Sequence, residues 1–139
     1  MSEERKSATT GAHHVGLTVR DLEESTRFFV DVLGYEKVGE VPDYPAAFVT
    51  DGKLMIALWQ AADPDNAVAF DRKNVIGLHH LALAVENETA LDDLYHRLTD
   101  VENLDIEFAP EPPSGMPARH MLCNIPGGGI RVEFIAMTA

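Results

Sequence analysis

Apolar and polar residues alternate over Ala12–Val19, with Val15, Leu17 and Val19 on one face. This is the period of a half-buried strand. The period then changes. Leu22, Phe29 and Leu33 fall on one side of a helix, and Asp21 stands three residues before Glu24, close to a capping-box spacing. Gly34 follows, where a left-handed residue ends a helix well. Three strands are predicted next: Glu36–Val41, ended by Pro42, then Ala46–Thr50, then Lys53–Trp59, with Asp51-Gly52 at the turn between the last two.

The same order of elements returns in the second half. Leu78–Val85 reads as a strand, Asn87 as a cap, and Leu91, Leu94 and Leu98 as the apolar stripe of a helix. Leu104–Phe108 is a strand, followed by a Pro-rich loop, Pro110–Pro117. Arg119–Ile125 and Ile130–Ala136 are the last strands, joined by Pro126-Gly127-Gly128-Gly129. His13-His14 heads the first half, and His79-His80 heads the second 66 residues later. The chain is therefore one βαβββ unit written twice. The expected organisation is a flexible tail over 1–11 and a single domain over 12–139. Within that domain, module one covers 12–60, a polar linker 61–76 and module two 77–136.

Strand periodicity assigns faces. Val15, Leu17, Val19 and their counterparts Leu81, Leu83, Val85 should cover helices. The opposite faces carry His14, Gly16, Thr18 and His80, Ala82, Ala84. Each is an imidazole followed by small side chains, which leaves room for a ligand rather than filling a core. His13 and His79 fall on the other side and read as supporting residues. Matching Ile56-Ala57-Leu58 to Val132-Glu133-Phe134 sets Ala57 against Glu133. A carboxylate within Ile-Arg-Val-Glu-Phe-Ile is costly to bury without a cation or hydrogen bonds. The inward set is thus His14, His80 and Glu133, two imidazoles and a carboxylate of metal-ligand type, with Arg131 as the rival partner of Glu133. Met55 and Trp59 share the face of Ala57 and would form an apolar substrate wall. His120 is a candidate general acid/base, against the alternative of a strand surface residue. Arg119 and Arg131 are candidates to hold a substrate carboxylate, or else balance local acids.

Composition narrows the function classes. The 23 acidic residues outnumber 11 basic ones, for a net charge of -12. That argues against nucleic-acid binding, which needs cations for the phosphates, and suits a cationic ligand. Apolar residues at 45% suffice for a core. The single cysteine, Cys123, cannot form an intrachain disulfide, which fits a cytoplasmic location. Met1–Gly11 has no apolar stretch of a secretory signal, and no run approaches a membrane span.

The chain resembles the vicinal oxygen chelate superfamily, which groups glyoxalases, bleomycin-resistance proteins and extradiol dioxygenases. The resemblance lies in His14-Val-Gly-Leu-Thr-Val-Arg-Asp-Leu22, Phe28-Phe29 with Val32-Leu33-Gly34-Tyr35, Gly77-Leu-His-His80-Leu-Ala-Leu, and Pro126-Gly-Gly with Val132-Glu133-Phe134. It implies an α+β fold of two βαβββ modules. Each would curl a mixed sheet into half of an open barrel around a central cavity and a divalent metal. Ligands in such proteins come from the first and last strands of each module, which carries metal roles onto His14, His80 and Glu133. The fourth position, a Glu or Gln in glyoxalase I-like members, is Ala57 here. Two His and one carboxylate resemble the facial triad of Fe(II) oxygenases. The implied function is a metal-dependent dioxygenase-like enzyme on a small substrate with adjacent oxygens. Fe(II) is favoured, and Mn, Zn, Ni or Co are possible. Glu133 and His120 would handle protons. The alternatives are a glyoxalase-like lyase or isomerase and a non-catalytic drug-binding protein of the bleomycin-resistance kind. The resemblance also implies a homodimer, with modules paired within or between chains.

Overall fold

The structure is a computed structural model that describes residues 6–113 and 115–138. Met1–Arg5 of the expected tail, Ser114 in the Pro-rich loop, and Ala139 lie outside them. Among the described residues, eight strands form two separate four-stranded sheets. In module one these are β1 (His14–Val19), β2 (Glu36–Val41), β3 (Ala46–Thr50) and β4 (Met55–Gln60), in the order β1-β4-β3-β2. In module two they are β5 (Leu81–Ala84), β6 (Asp105–Glu111), β7 (Ala118–Asn124) and β8 (Arg131–Met137), in the order β5-β8-β7-β6. The first and last strands of each module pair in parallel, and the other pairs are antiparallel. Both sheets are open and mixed, as the βαβββ reading expects.

The helices form where the caps predict. The Asp21 carboxylate accepts from the Glu24 N–H at 3.1 Å and opens α1, Leu22–Arg27. Asn87 accepts from the Ala90 N–H at 2.8 Å and opens α2, Glu88–Leu98. Leu91, Leu94 and Leu98 are buried against the second sheet, each contributing about 2 kcal/mol by removal from water. Helix α1 departs from the expected regular helix. Its end widens into a π-turn over Phe28–Val32, where the Leu33 N–H donates to the Phe28 carbonyl at 3.1 Å. The wider turn lets the adjacent rings of Phe28 and Phe29 both be buried, meeting edge to face at 5.7 Å.

Cores under the two sheets join into one cluster that includes Leu17, Phe29, Ile56, Leu58, Leu91, Met121, Val132 and Phe134. The modules meet where α1 rests on the turn between β7 and β8. There the Asp21 N–H donates to the Gly127 carbonyl at 2.8 Å, and the buried Ser25 hydroxyl donates to the Pro126 carbonyl at 2.8 Å. Gly127 has φ +89°, and a Cβ there would stand 2.0 Å from Ser25 Oγ. Only glycine permits this approach. The docking turns the two sheets' other faces outward. His14, Gly16, Thr18, Ala82 and Ala84 are all exposed. The linker holds one short 3₁₀ turn, Pro64–Asn66. No helix among the described residues is long and apolar enough to cross a membrane.

Candidate metal centre

The strand ladders make the internal comparison exact in register. Gly16 pairs with Ala57 in module one, and Ala82 pairs with Glu133 in module two. Since Gly16 follows His14 by two residues and Ala82 follows His80 by two, Ala57 and Glu133 are equivalent. The same reasoning sets Met55 against Arg131, Phe48 against Leu122, and Ala46 against His120. The first bulge of the second strand matches as well, though module two has a further register shift between Phe108 and Glu111. The ladder skips between Lys37 and Gly39 in one module and between Ile106 and Phe108 in the other, which makes Val38 and Glu107 counterparts.

Glu133 lies at the centre of a polar chain on the outward face of module two. Its Oε1 is 3.0 Å from His80 Nε2, and its Oε2 is 2.8 Å from His120 Nδ1. Only 12% of the Glu133 side chain is exposed, so the carboxylate is largely withdrawn from water. Leu122 is opposite it in the ladder, and the Phe108 ring is 4.8 Å from that of His120. His120, diagonal to Glu133 across β7 and β8, is part of this polar chain, with 17% of its side chain exposed.

Arg131 has a different partner from the rival one expected. It forms two bonds to Glu107, Nε to Oε2 at 2.7 Å and Nη2 to Oε1 at 3.1 Å. Its Nη1 donates to the His79 carbonyl at 2.9 Å and lies 3.2 Å from His79 Nδ1. This guanidinium holds the Glu107 carboxyl below the usual carboxylate range. Desolvation and then the neighbouring Arg131 keep the His79 imidazole below its own usual range. His79 Nδ1 in turn is 2.8 Å from His80 Nδ1. Alternation misses this, because β5 starts at Leu81 and the histidines precede the ladder. Glu107 was missed as well. Its only signal is the repeated bulge, which the sequence does not mark.

Arg119 is apart from this group. It lies on the helix side of β7 and donates to Asp92 on α2 at 2.9 and 3.1 Å and to the Pro110 carbonyl at 3.2 Å. Cys123 is buried on that same side, and burial pushes its thiol up to about 12.

Module one carries His14 and an apolar wall. Gly16 leaves its space to Trp59, whose Nε1 would be 3.6 Å from a Cβ there. Trp59 packs 4.7 Å from the Tyr44 ring and 6.2 Å from Phe48, and Met55 lies further along the same strand face. His14 is exposed, and its Nδ1 is 2.8 Å from His13 Nδ1. His80 and Glu133 come together in the chain, but His14 does not join them. Among the described residues, no group of three or more His, Cys, Asp or Glu is arranged to hold a metal ion within one chain.

The family described as the Glyoxalase/Bleomycin resistance protein/Dioxygenase superfamily matches residues 11–134. The chain belongs to this superfamily. The catechol-2,3-dioxygenase of Bacillus subtilis (strain 168) is 29% identical over 90 residues, which are 63% of this chain and 30% of that protein. The chain therefore spans less than a third of that relative's length. A glyoxylase/bleomycin resistance protein/dioxygenase domain from Frankia sp. EAN1pec superposes with a TM-score of 0.76 at 26% identity, covering 93% of each chain. A variant of the fosfomycin resistance protein FosX from Listeria monocytogenes, complexed with Mn(II) and 1S,2S-dihydroxypropylphosphonic acid, superposes with a TM-score of 0.71. At 17% identity over 94% of each chain, that likeness shows the fold alone.

Proposed function

We propose that this protein is a metal-dependent enzyme acting on a small substrate with two adjacent oxygens. Its ligands would be His80 and Glu133 of one protomer and His14 of a second copy. The observation that carries this reading is Glu133, withdrawn from water and flanked by His80 and His120, with no Lys or Arg among the described residues on its oxygens. Its Oε1 and His80 Nε2, 3.0 Å apart, fit two neighbouring ligands of one ion. A divalent ion there, Fe(II) in preference to Mn, Zn, Ni or Co, would supply Lewis-acid polarisation of the paired oxygens. His120, oriented by Glu133 through Nδ1, would present Nε2 to a substrate hydroxyl and move its proton. Met55 and Trp59, with Phe48 and Tyr44, would form an aromatic and apolar wall suited to a ring. That wall and the Bacillus relative favour dioxygenation of a catechol-like substrate.

The second copy follows from exposure. His14 stands in solvent on the outward face of module one. Val75, Ile76 and Leu78, just before His79-His80, are exposed apolar residues at 38%, 101% and 44%. A twofold pairing of outward faces would cover them and bring His14 of each copy to the other's Glu133, giving two sites. Light scattering on a sizing column is expected to give a dimer. Mixing unfolded His14→Ala and Glu133→Ala chains and refolding them should restore activity, because one site of each heterodimer then has all three ligands. Persistent inactivity of the mixture, with a monomer on the column, rejects the shared site.

The reaction is tested by anaerobic loading with Fe(II), then O₂ uptake with a panel of catechols. Uptake with at least one catechol is expected. Turnover of a hemithioacetal with no uptake from any catechol would replace the dioxygenase by a lyase. Retention of a cationic drug with no stoichiometric metal after reconstitution would replace both by a binding protein.

A further inference from the structure

Trp59 is the one tryptophan of the chain, and its neighbours fix where its N–H stands. The half-buried ring packs on Tyr44, at 4.7 Å and tilted by 56°, and on Phe48, at 6.2 Å and nearly perpendicular. Small residues leave the indole its room. Ala46 is its ladder partner on β3, and a Cβ added to Gly16 on β1 would lie 3.6 Å from Nε1. Nε1 therefore stands beside Gly16, the residue that follows His14 on the outward face of β1. Among the described residues nothing accepts a hydrogen bond from Nε1, and no buried side-chain nitrogen or oxygen lacks a partner. The N–H thus opens to solvent on the face that carries His14.

We infer that Trp59 is a specificity-determining residue: its Nε1–H anchors a neutral hydrogen-bond acceptor, such as a carbonyl, carried by the substrate ring that lies on this wall. An indole N–H can only donate. A ring that covers it removes its water, so a ligand without an acceptor at that point leaves the donor unpaired and loses affinity. Sites built to hydrogen-bond a substrate group reject analogues that lack it. The outward positions of β1, β3 and β4 include no Lys or Arg. Nothing on these strands favours a carboxylate over a neutral oxygen, and the net charge of -12 disfavours an anion. The anchor is confined to module one, because the counterpart of Trp59 is Ile135, which has no donor on its side chain. In the shared site Trp59 comes from the same copy as His14. The inference deepens the function proposed above and rests on its placing of the substrate ring against this wall.

Acetylcatechol and ethylcatechol test it, since they match in shape and differ in one carbonyl. Calorimetric titration of the metal-free wild type is expected to give about tenfold tighter binding of acetylcatechol. The preference should vanish in Trp59→Phe, which keeps a ring and loses the donor. It should also vanish in Gly16→Val, which keeps the donor and covers it. The single tryptophan gives a single indole ¹H–¹⁵N signal. That signal should move downfield with acetylcatechol and stay near its free position with ethylcatechol. Equal affinities of the two rings for wild type overturn the inference, as does binding of neither. A preference that survives in Trp59→Phe overturns it too. Zn(II) is expected to tighten the binding of both rings. A preference for acetylcatechol with no gain from Zn(II) overturns the metal reading instead and leaves Trp59 as the anchor. Should Trp59→Phe fail to fold by circular dichroism, Gly16→Val and the wild-type indole signal decide. A preference retained in Gly16→Val, or an indole signal placed alike by both rings, then rejects the anchor.

Discussion

Positions 14, 55 and 57 of module one hold His, Met and Ala, while the equivalent 80, 131 and 133 of module two hold His, Arg and Glu. Around them, Ala46, Phe48 and Val38 stand against His120, Leu122 and Glu107. The backbone plan is shared as far as the first bulge of the second strand, after which module two has a further register shift. One sheet face is thus apolar with a single imidazole, and the other carries a connected run of polar groups from Glu107 to His120. A partly buried carboxylate needs partners within reach, so the polar residues of module two occur as a set. Module one, without the carboxylate, needs none of them and can present an aromatic wall. Duplication supplied the frame, and one half took the polar chemistry.

The largest expected effect comes from erasing the difference. Glu133→Ala gives module two the residue of module one. It should reduce metal-loaded activity by about a thousandfold or more, as loss of a group acting in the transition state does, and steady-state kcat/KM measures it. Activity within a few-fold of wild type would remove Glu133 from the site. Next is the contact that keeps the modules together. Gly127→Ala puts a Cβ on Ser25 Oγ and on the Asp21 carbonyl at positive φ, so a loss of about 3 kcal/mol or more is expected by urea unfolding. An unchanged midpoint would mean that α1 does not rest on this turn.

The reverse exchange, Ala57→Glu, puts a carboxylate at a site only 2% exposed and without a histidine like His120. It should cost about 2–3 kcal/mol in metal-free protein, read from the thermal midpoint. A neutral result would show that module one tolerates charge and that the asymmetry is not enforced by burial. The smallest effect concerns Glu107. Its carboxyl is held below the ordinary value when folded, so the Arg131 pair stabilises the protein above the ordinary carboxylate range. That stabilisation disappears as pH falls through the lowered value. Glu107→Gln should therefore be less stable than wild type by about 1 kcal/mol at neutral pH, and the two curves should converge in acid. Parallel curves across the acid range would mean that the pair contributes nothing to stability.

Much of this was legible along the chain. The duplication, the sheet faces, the caps Asp21 and Asn87, the leucine stripe of α2 and the equivalence of Ala57 and Glu133 rest on local periods and single side chains. His80, Glu133 and His120 stand out in the sequence by residue type, and the fold brings them into contact. What stayed hidden was the choice of partner. Arg119 and Arg131 look alike in sequence, yet one faces the α2 acids and the other faces Glu107. Strand parity separates them by one residue, and a bulge that no residue type announces brings Glu107 within reach.

The sequence by itself determined the unit, its repetition and the residue types on each outward face. These depend on backbone period and on side chains within a few residues of each other. Only the tertiary structure decided that α1 docks on the Gly127 turn, leaving His14 in solvent while His80 meets Glu133. It also decided that His79 belongs to the polar chain. Those contacts join residues tens to a hundred positions apart, and such distances are set by strand order, bulges and docking rather than by any local pattern.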